Sequence, residues 1–425
     1  MWFWYMRHFP LKYLILLLLL LAAAMRPAAA QHEGFIYGEV TLTNNERHKG
    51  QILWSAGQTM WVDLLTAEKK DNPVLKYLNN EQLEKLSIEE TQKKMDWGFM
   101  NLWKNQYPSR KHTFRCRFGD IASLTVSGGE EAVVAFKNGE KVNIFINEDP
   151  EYRNQLGRRI TLYIASKEKI RIDWDNIAQI RFTTTPQQLP HLNTMPLYGT
   201  IATRSGSSYT GLLQWDMDES LTSNFVDGKN EANENIKVRF RDVQSIRPKD
   251  EGALVKLKSG RELYMHGNSN VNRKNQGLVV RHPDWGQVII RWRDFKEATI
   301  AAYPENQDFG FNAFQKPRSL KASIFTNDKK TWRGSFVYDL DERLDVETLD
   351  GWDRAGALRI VPFRFIKEVA PHNSKQSVVL LRNGVKLVLG DRSDVSEKNW
   401  GLLIWPQQGE YKYIPWNNVH RIAFY

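Results

Sequence analysis

The sequence predicts a mainly β protein made of six half-repeats in three pairs, and three observations carry that expectation. The first is a tail in which an aromatic residue is followed by apolar residues at plus three and plus six. It occurs at Phe118, Ile121, Leu124; Trp174, Ile177, Ile180; Phe240, Val243, Ile246; Trp292, Phe295, Ala298; Phe363, Ile366, Val369; and Trp416, Val419, Ile422. The second is a pair of openings that alternate ahead of these tails. One kind runs from Tyr37, Tyr198 and Lys321 and aligns Gly50, Gly211 and Gly334, then Trp54, Trp215 and Tyr338. The other runs from Val133, Leu254 and Val378 and aligns Gly139, Gly260 and Gly384. The third is period-two alternation of apolar and polar residues around each opening, the signature of strands with one face inward.

Each element follows from its residues. Lys137-Asn138-Gly139, Lys258-Ser259-Gly260 and Arg382-Asn383-Gly384 supply the left-handed backbone that a tight hairpin needs, so each opening reads strand, turn, strand. Two more strands follow, as at Ile160 to Ile164 and Ile170 to Trp174, where Ile170, Ile172 and Trp174 share one face. The tail cannot continue a period of two. It suits one tight helical turn that brings the next apolar residue under the aromatic and leads into a fifth, closing strand.

Five short strands with a penultimate helical turn resemble SH3-like and Sm-like small barrels, and tandem units of this kind are similar to those of exported bacterial proteins whose function is not known. The resemblance implies tandem five-stranded barrels, with a six-bladed β-propeller as the alternative closure. It implies a fold and no activity. Proline-bearing linkers divide the chain. The expected organisation is a leader at 1–30, barrel pair 1 at 31–182, a linker at 183–196, pair 2 at 197–302, a linker at 303–319, and pair 3 at 320–425. Pair 1 alone carries an insertion at 71–104, where Leu75, Leu78, Leu83 and Leu86 fall on one broad side at helical pitch; it reads as one or two helices, with Trp97, Phe99 and Trp103 expected to pack it onto its own barrel and a partner-docking face as the alternative.

The leader has Arg7 and Lys12, an apolar run from Tyr13 to Met25, and Pro27-Ala28-Ala29-Ala30 before Gln31, the pattern of a cleaved secretory signal peptide. The run is shorter than the roughly 20 residues a membrane-spanning helix needs. The expectation is therefore a periplasmic or extracellular protein with no integral membrane segment after cleavage. Cys116 is the only cysteine, so the fold is held by apolar burial rather than disulfides, and alternation puts it on the face of Phe114 and Phe118. The formal charge of +10 includes three cations of the leader and is otherwise dispersed, which reads as solubility more than as a polyanion site.

Catalytic and phosphate-binding signatures are absent, the histidines are single, and no cofactor or metal site is expected. Sm-like barrels in general suggest RNA, but the family's RNA-contacting motifs cannot be placed here and export argues against nucleic acid. Two acidic stretches align, Asp216-Met217-Asp218-Glu219 and Asp339-Leu340-Asp341-Glu342, and read as solvated turns. Trp61, Trp285, Trp332 and Trp352 fall outside the repeat framework; with Arg293 they are the candidate binding residues, because exposed aromatic rings are stacking platforms for sugars and peptides. The function expected is a non-enzymatic exported scaffold that binds an envelope protein or glycan. The alternative is a hydrolase using Asp216, Asp218 and Glu219 or their counterparts, since paired carboxylates do acid–base work when burial raises one pKa.

Overall fold

The computed structural model describes residues 32–54, 57–86, 112–146, 155–164, 169–189, 192, 194–304 and 309–425. The leader, most of the insertion and parts of both linkers lie outside them. Among the described residues no helix is long and apolar enough to cross a membrane.

Unit 1 contains β1 (Tyr37–Leu42), β2 (Arg47–Leu53), β3 (Leu64–Lys69), β4 (Thr113–Arg117), β5 (Ile121–Gly128), β6 (Glu131–Phe136), β7 (Lys141–Phe145), β8 (Ile160–Ile164), β9 (Lys169–Ile172) and β10 (Ile177–Phe182). Unit 2 contains β11 (Tyr198–Thr203), β12 (Ser208–Gln214), β13 (Phe225–Lys229), β14 (Asn235–Arg239), β15 (Val243–Lys249), β16 (Gly252–Leu257), β17 (Glu262–His266), β18 (Leu278–His282), β19 (Gly286–Ile290) and β20 (Phe295–Ala301). Unit 3 contains β21 (Lys321–Thr326), β22 (Thr331–Val337), β23 (Thr348–Trp352), β24 (Ala357–Pro362), β25 (Ile366–Asn373), β26 (Gln376–Leu381), β27 (Lys386–Gly390), β28 (Leu402–Gln407), β29 (Glu410–Ile414) and β30 (Val419–Phe424). A single 3-10 turn begins at each tail aromatic, for example Phe118–Asp120 and Trp174–Asn176, and hands the chain to β5, β10, β15, β20, β25 or β30. In the insertion, a 3-10 turn at Leu75–Tyr77 precedes helical residues 80–86. Leu75, Leu78, Leu83 and Leu86 pack on Val337, Leu340, Trp400 and Leu403 of unit 3, which corrects the expectation of packing on their own barrel. Trp97, Phe99 and Trp103 lie outside the described residues.

These strands form two large open antiparallel sheets, one of ten strands and one of twenty, and among the described residues no barrel closes. The expectation of tandem five-stranded SH3-like or Sm-like barrels is corrected by the pairing itself. Unit 1 runs β4-β3-β7-β6-β5-β10-β1-β2-β8-β9, so the second hairpin of each half-repeat is exchanged. β3 pairs with β7 of the later half, and β8 pairs with β2 of the earlier half. Units 2 and 3 repeat these exchanges through β13–β17 and β12–β18, then β23–β27 and β22–β28. The propeller is also excluded, because the strands do not group into separate four-stranded blades. Units 2 and 3 instead share one sheet through β19–β24.

The exchange has a packing cause. Each unit has one core cluster drawn from both half-repeats, not one core per half. The aromatic that ends the first opening sits between the two tail aromatics: Trp54 lies 5.2 Å from Phe118 and 6.1 Å from Trp174, Trp215 lies 6.0 Å from Phe240 and 6.1 Å from Trp292, and Tyr338 lies 5.0 Å from Phe363 and 5.9 Å from Trp416. Each central ring also donates to a backbone carbonyl of the second half: Trp54 Nε1 to Gln155, Trp215 Nε1 to Asn270, and Tyr338 OH to Asp394. Buried donors keep partners because an orphaned one is costly. The aligned glycines serve the same exchange. A Cβ on Gly50, Gly211 or Gly334 would collide with the carbonyl of Tyr163, Arg281 or Trp405 on the exchanged strand.

Cys116 is buried with Phe114 and Phe118. The second linker is not a free tether: Phe309 and Phe314 are buried in the unit 1 core, and Lys137 donates to the carbonyls of Phe311 and Phe314. The three units meet at an apolar junction of Leu64, Val279, Ile289, Leu358 and Ile360.

Candidate functional site

Both acidic stretches are turns, but the expectation of solvated turns is corrected. Asp216 and Asp339 are 2% and 1% exposed. The backbone reverses through left-handed pairs, Asp216 with Met217 and Asp339 with Leu340, and closes on the bridges Trp215–Glu219 and Tyr338–Glu342. The first aspartate then ties the turn to the second half of its unit. Asp216 accepts from Ser269 Oγ at 2.8 Å, Asn270 Nδ2 at 3.2 Å and the Gln276 amide at 2.7 Å, and Asp339 accepts from the Trp400 amide.

Glu219 accepts from Asn270 of its own unit, whereas Asp341 faces another unit. At the seam of units 1 and 3, Lys69 Nζ lies 2.7 Å from Asp341 and 2.6 Å from Glu347, with all three side chains under a tenth exposed. His112 approaches the other oxygen of Asp341 at 3.4 Å, and Asn72 bridges His112 to the Leu340 carbonyl. Glu347 also accepts the amides of Arg343 and Leu344. The same task falls to Asp63, which accepts the Thr59 and Met60 amides, and to Asn224, which accepts those of Ser220 and Leu221. Asp63 in turn pairs with buried Arg281 of unit 2 at 3.2 Å, and Asp120 is shared between Arg117 and Arg364 of unit 3. Apart from Arg117, three residues before Asp120, the cations of this pattern lie in another unit than their carboxylates, so a single segment does not show it.

The electrostatics separate adjacent acids. Burial opposes charge on Asp341, but Lys69 and His112 hold its carboxyl below the usual range. Burial, then Asp341 and Asp394, push its neighbour Glu342 well up. Burial alone would lower Lys69, yet Asp341, Glu347 and Glu342 together raise it. In unit 2, burial and the adjacent Asp218 push Glu219 up to about 9, so at neutral pH it carries a proton that it offers to Asp218. Among the described residues no cluster of three or more histidine, cysteine or acidic side chains could hold a metal ion.

Beside the Lys69 cluster a cleft of about 520 Å³ opens between units 1 and 3, lined by Asn72, Tyr77, Lys141, Arg343 and Trp405 among others. Tyr77 meets Trp405 edge-on at 5.3 Å and Tyr411 at 5.1 Å, and Tyr411 is 49% exposed. This trio joins the insertion to β28 and β29, which no local sequence signal connects.

The structure does not gather the sequence-derived candidates. Trp61 is fully buried, with Nε1 bonded to the Glu33 carbonyl and Thr185, so it presents no face. Trp285 is half-buried and stacks on His282, with Arg359 on another side. Trp352 lies under Arg291, whose guanidinium is 3.8 Å from the ring centre. Trp332 packs partly on the unit 3 core, and Arg293 is exposed beside Asp294. The chain matches no protein-family model, and no curated protein matches it.

Proposed function

We propose that the chain is a non-enzymatic exported interaction scaffold whose inter-unit cleft holds a glycan chain of the envelope. The observation that supports this reading is the aromatic trio Tyr77, Trp405 and Tyr411 at the edge of a roomy cleft lined by both apolar and polar side chains. Half-exposed aromatic rings offer apolar faces to sugar rings at small entropic cost. The seam pairs fasten the cleft walls together, which keeps its shape fixed before binding.

The test is co-sedimentation of the chain with purified cell-wall glycan at low and high salt. Stacking predicts retention at both, reduced by Trp405→Ala and Tyr411→Ala; retention only at low salt reduces the interaction to dispersed basic charge. No retention at either salt removes the glycan reading. The proton-sharing pair Asp218 and Glu219 favours a second reading, a hydrolase. If soluble fragments of the same polymer appear and Asp218→Asn abolishes their release, the scaffold is an enzyme.

A further inference from the structure

We infer that the outer edge of β14 is a docking site for an extended acidic peptide segment of another protein, which adds to the sheet as a strand. The inference deepens the scaffold reading by naming a protein partner class. It rests on a comparison within the molecule. β4, β14 and β24 are equivalent strands, each leading into a tail aromatic and each paired inward to β3, β13 or β23.

In two of the three copies the outward side is covered. β24 takes β19 antiparallel, with Ile289 opposite Leu358 and Gln287 opposite Ile360. On β4, Arg115 and Arg117 are buried; Arg115 pairs with Asp350 of unit 3 at 3.1 Å, and Arg117 pairs with Asp120 and donates to the Pro283 carbonyl. The first copy shows that the backbone edge accepts a strand, and the second that cations at these positions accept carboxylates.

β14 pairs with β13 alone among the described residues. The amide of Phe240 and the carbonyl of Glu234 bond inward to Asn224 and Asn230, so by alternation Asn235, Lys237 and Arg239 direct their backbone groups outward. Where β24 carries Leu358 and Ile360, β14 carries exposed Asn235 and Lys237. An open cleft of about 560 Å³ lies here, lined by Phe225, Lys237, Arg239, Arg241, Asp242 and Lys258 among others. Lys237 is paired to Asp227, and Arg239 lies over the exposed Phe225 ring, while Arg241 and Lys258 have no ion pair among the described residues. An edge this basic repels its own copy in a second molecule and selects an acidic strand.

The probe is an eight-residue peptide of alternating glutamate and valine, titrated against the full chain by fluorescence anisotropy. Binding is expected, weakened at least tenfold by Arg239→Glu with Lys258→Glu, both exposed positions, and at least tenfold by N-methylation of alternate peptide amides. N-methylation leaves the protein untouched and keeps the peptide's charge, so equal binding of the methylated peptide would overturn strand addition in favour of simple charge attraction. Absence of binding would overturn the proposal, as would self-association of the chain that the same two substitutions abolish. None of these outcomes depends on whether the chain sediments with glycan.

Discussion

Replacing Lys69 with methionine removes one charge of a buried triad and leaves two carboxylates facing each other. Asp341 and Glu347 lie 2.7 and 2.6 Å from Nζ and are 9% and 4% exposed, so water cannot take over the lost partner. Breaking a buried pair by deleting one member costs about 3–5 kcal/mol. At roughly 2–4 °C per kcal/mol, the melting temperature should fall by about 6–20 °C. The sign of the pH dependence is fixed by the groups. In the wild type Asp341 titrates below the ordinary range, so its stabilisation is present at neutral pH and is lost only in strong acid. Lys69 titrates above its ordinary value, so its contribution persists up to alkaline pH. In Lys69→Met the carboxylates lack their cation and take up protons more readily, so the deficit should be large at pH 8 and shrink toward pH 4. Differential scanning calorimetry at several pH values reads both effects. A deficit below about 1 kcal/mol that does not vary with pH would refute the reasoning, because it would mean that water reaches the seam.

Three further outcomes follow from other parts of the structure. Glu219 titrates at about 9 against an ordinary 4.5, so wild-type stability should fall as pH rises through that interval; Glu219→Gln, which can still donate to Asp218, should flatten the curve and raise the melting temperature at pH 8. Trp54→Ala empties the centre of the unit 1 core and its bond to Gln155, and should cost about 3–5 kcal/mol in urea unfolding, with a negligible loss disproving the central role of that ring. Gly211→Ala places a methyl against the Arg281 carbonyl and should destabilise by about 1–3 kcal/mol, whereas Gly260→Ala meets open space and is opposed only by its positive φ.

Local features were readable because they depend on local physics. The six tails, the glycine hairpins and the alternation of Ile170 and Ile172 are each set within a few residues, and they appear as 3-10 turns and strands. Partner choice is different. β2 offers the same alternating face to any neighbour, and nothing in Arg47–Leu53 says that β8 rather than β3 will lie beside it. The aligned Gly50 marks the close approach without naming what approaches. The acidic turns show the same limit: Asp341 is visibly a turn residue, but its partner Lys69 is in another unit, so burial and charge pairing could not be inferred. The aromatic cleft was missed because Tyr77 and Trp405 become neighbours only when units 1 and 3 meet.

Hairpin exchange also governs how the chain can be made. β1 and β2 remain open on both flanks until β8 and β10 have been synthesised, and β3 waits for β7. Such distant pairings are slow and leave strand edges exposed while the rest of the unit is still missing. A chain cut within a unit therefore carries strands whose neighbours do not exist. It follows that such a protein is most readily lengthened or shortened by inheritance in whole ten-strand steps: a duplicated or deleted half would strand a hairpin, whereas a duplicated pair would bring both partners of each exchange with it.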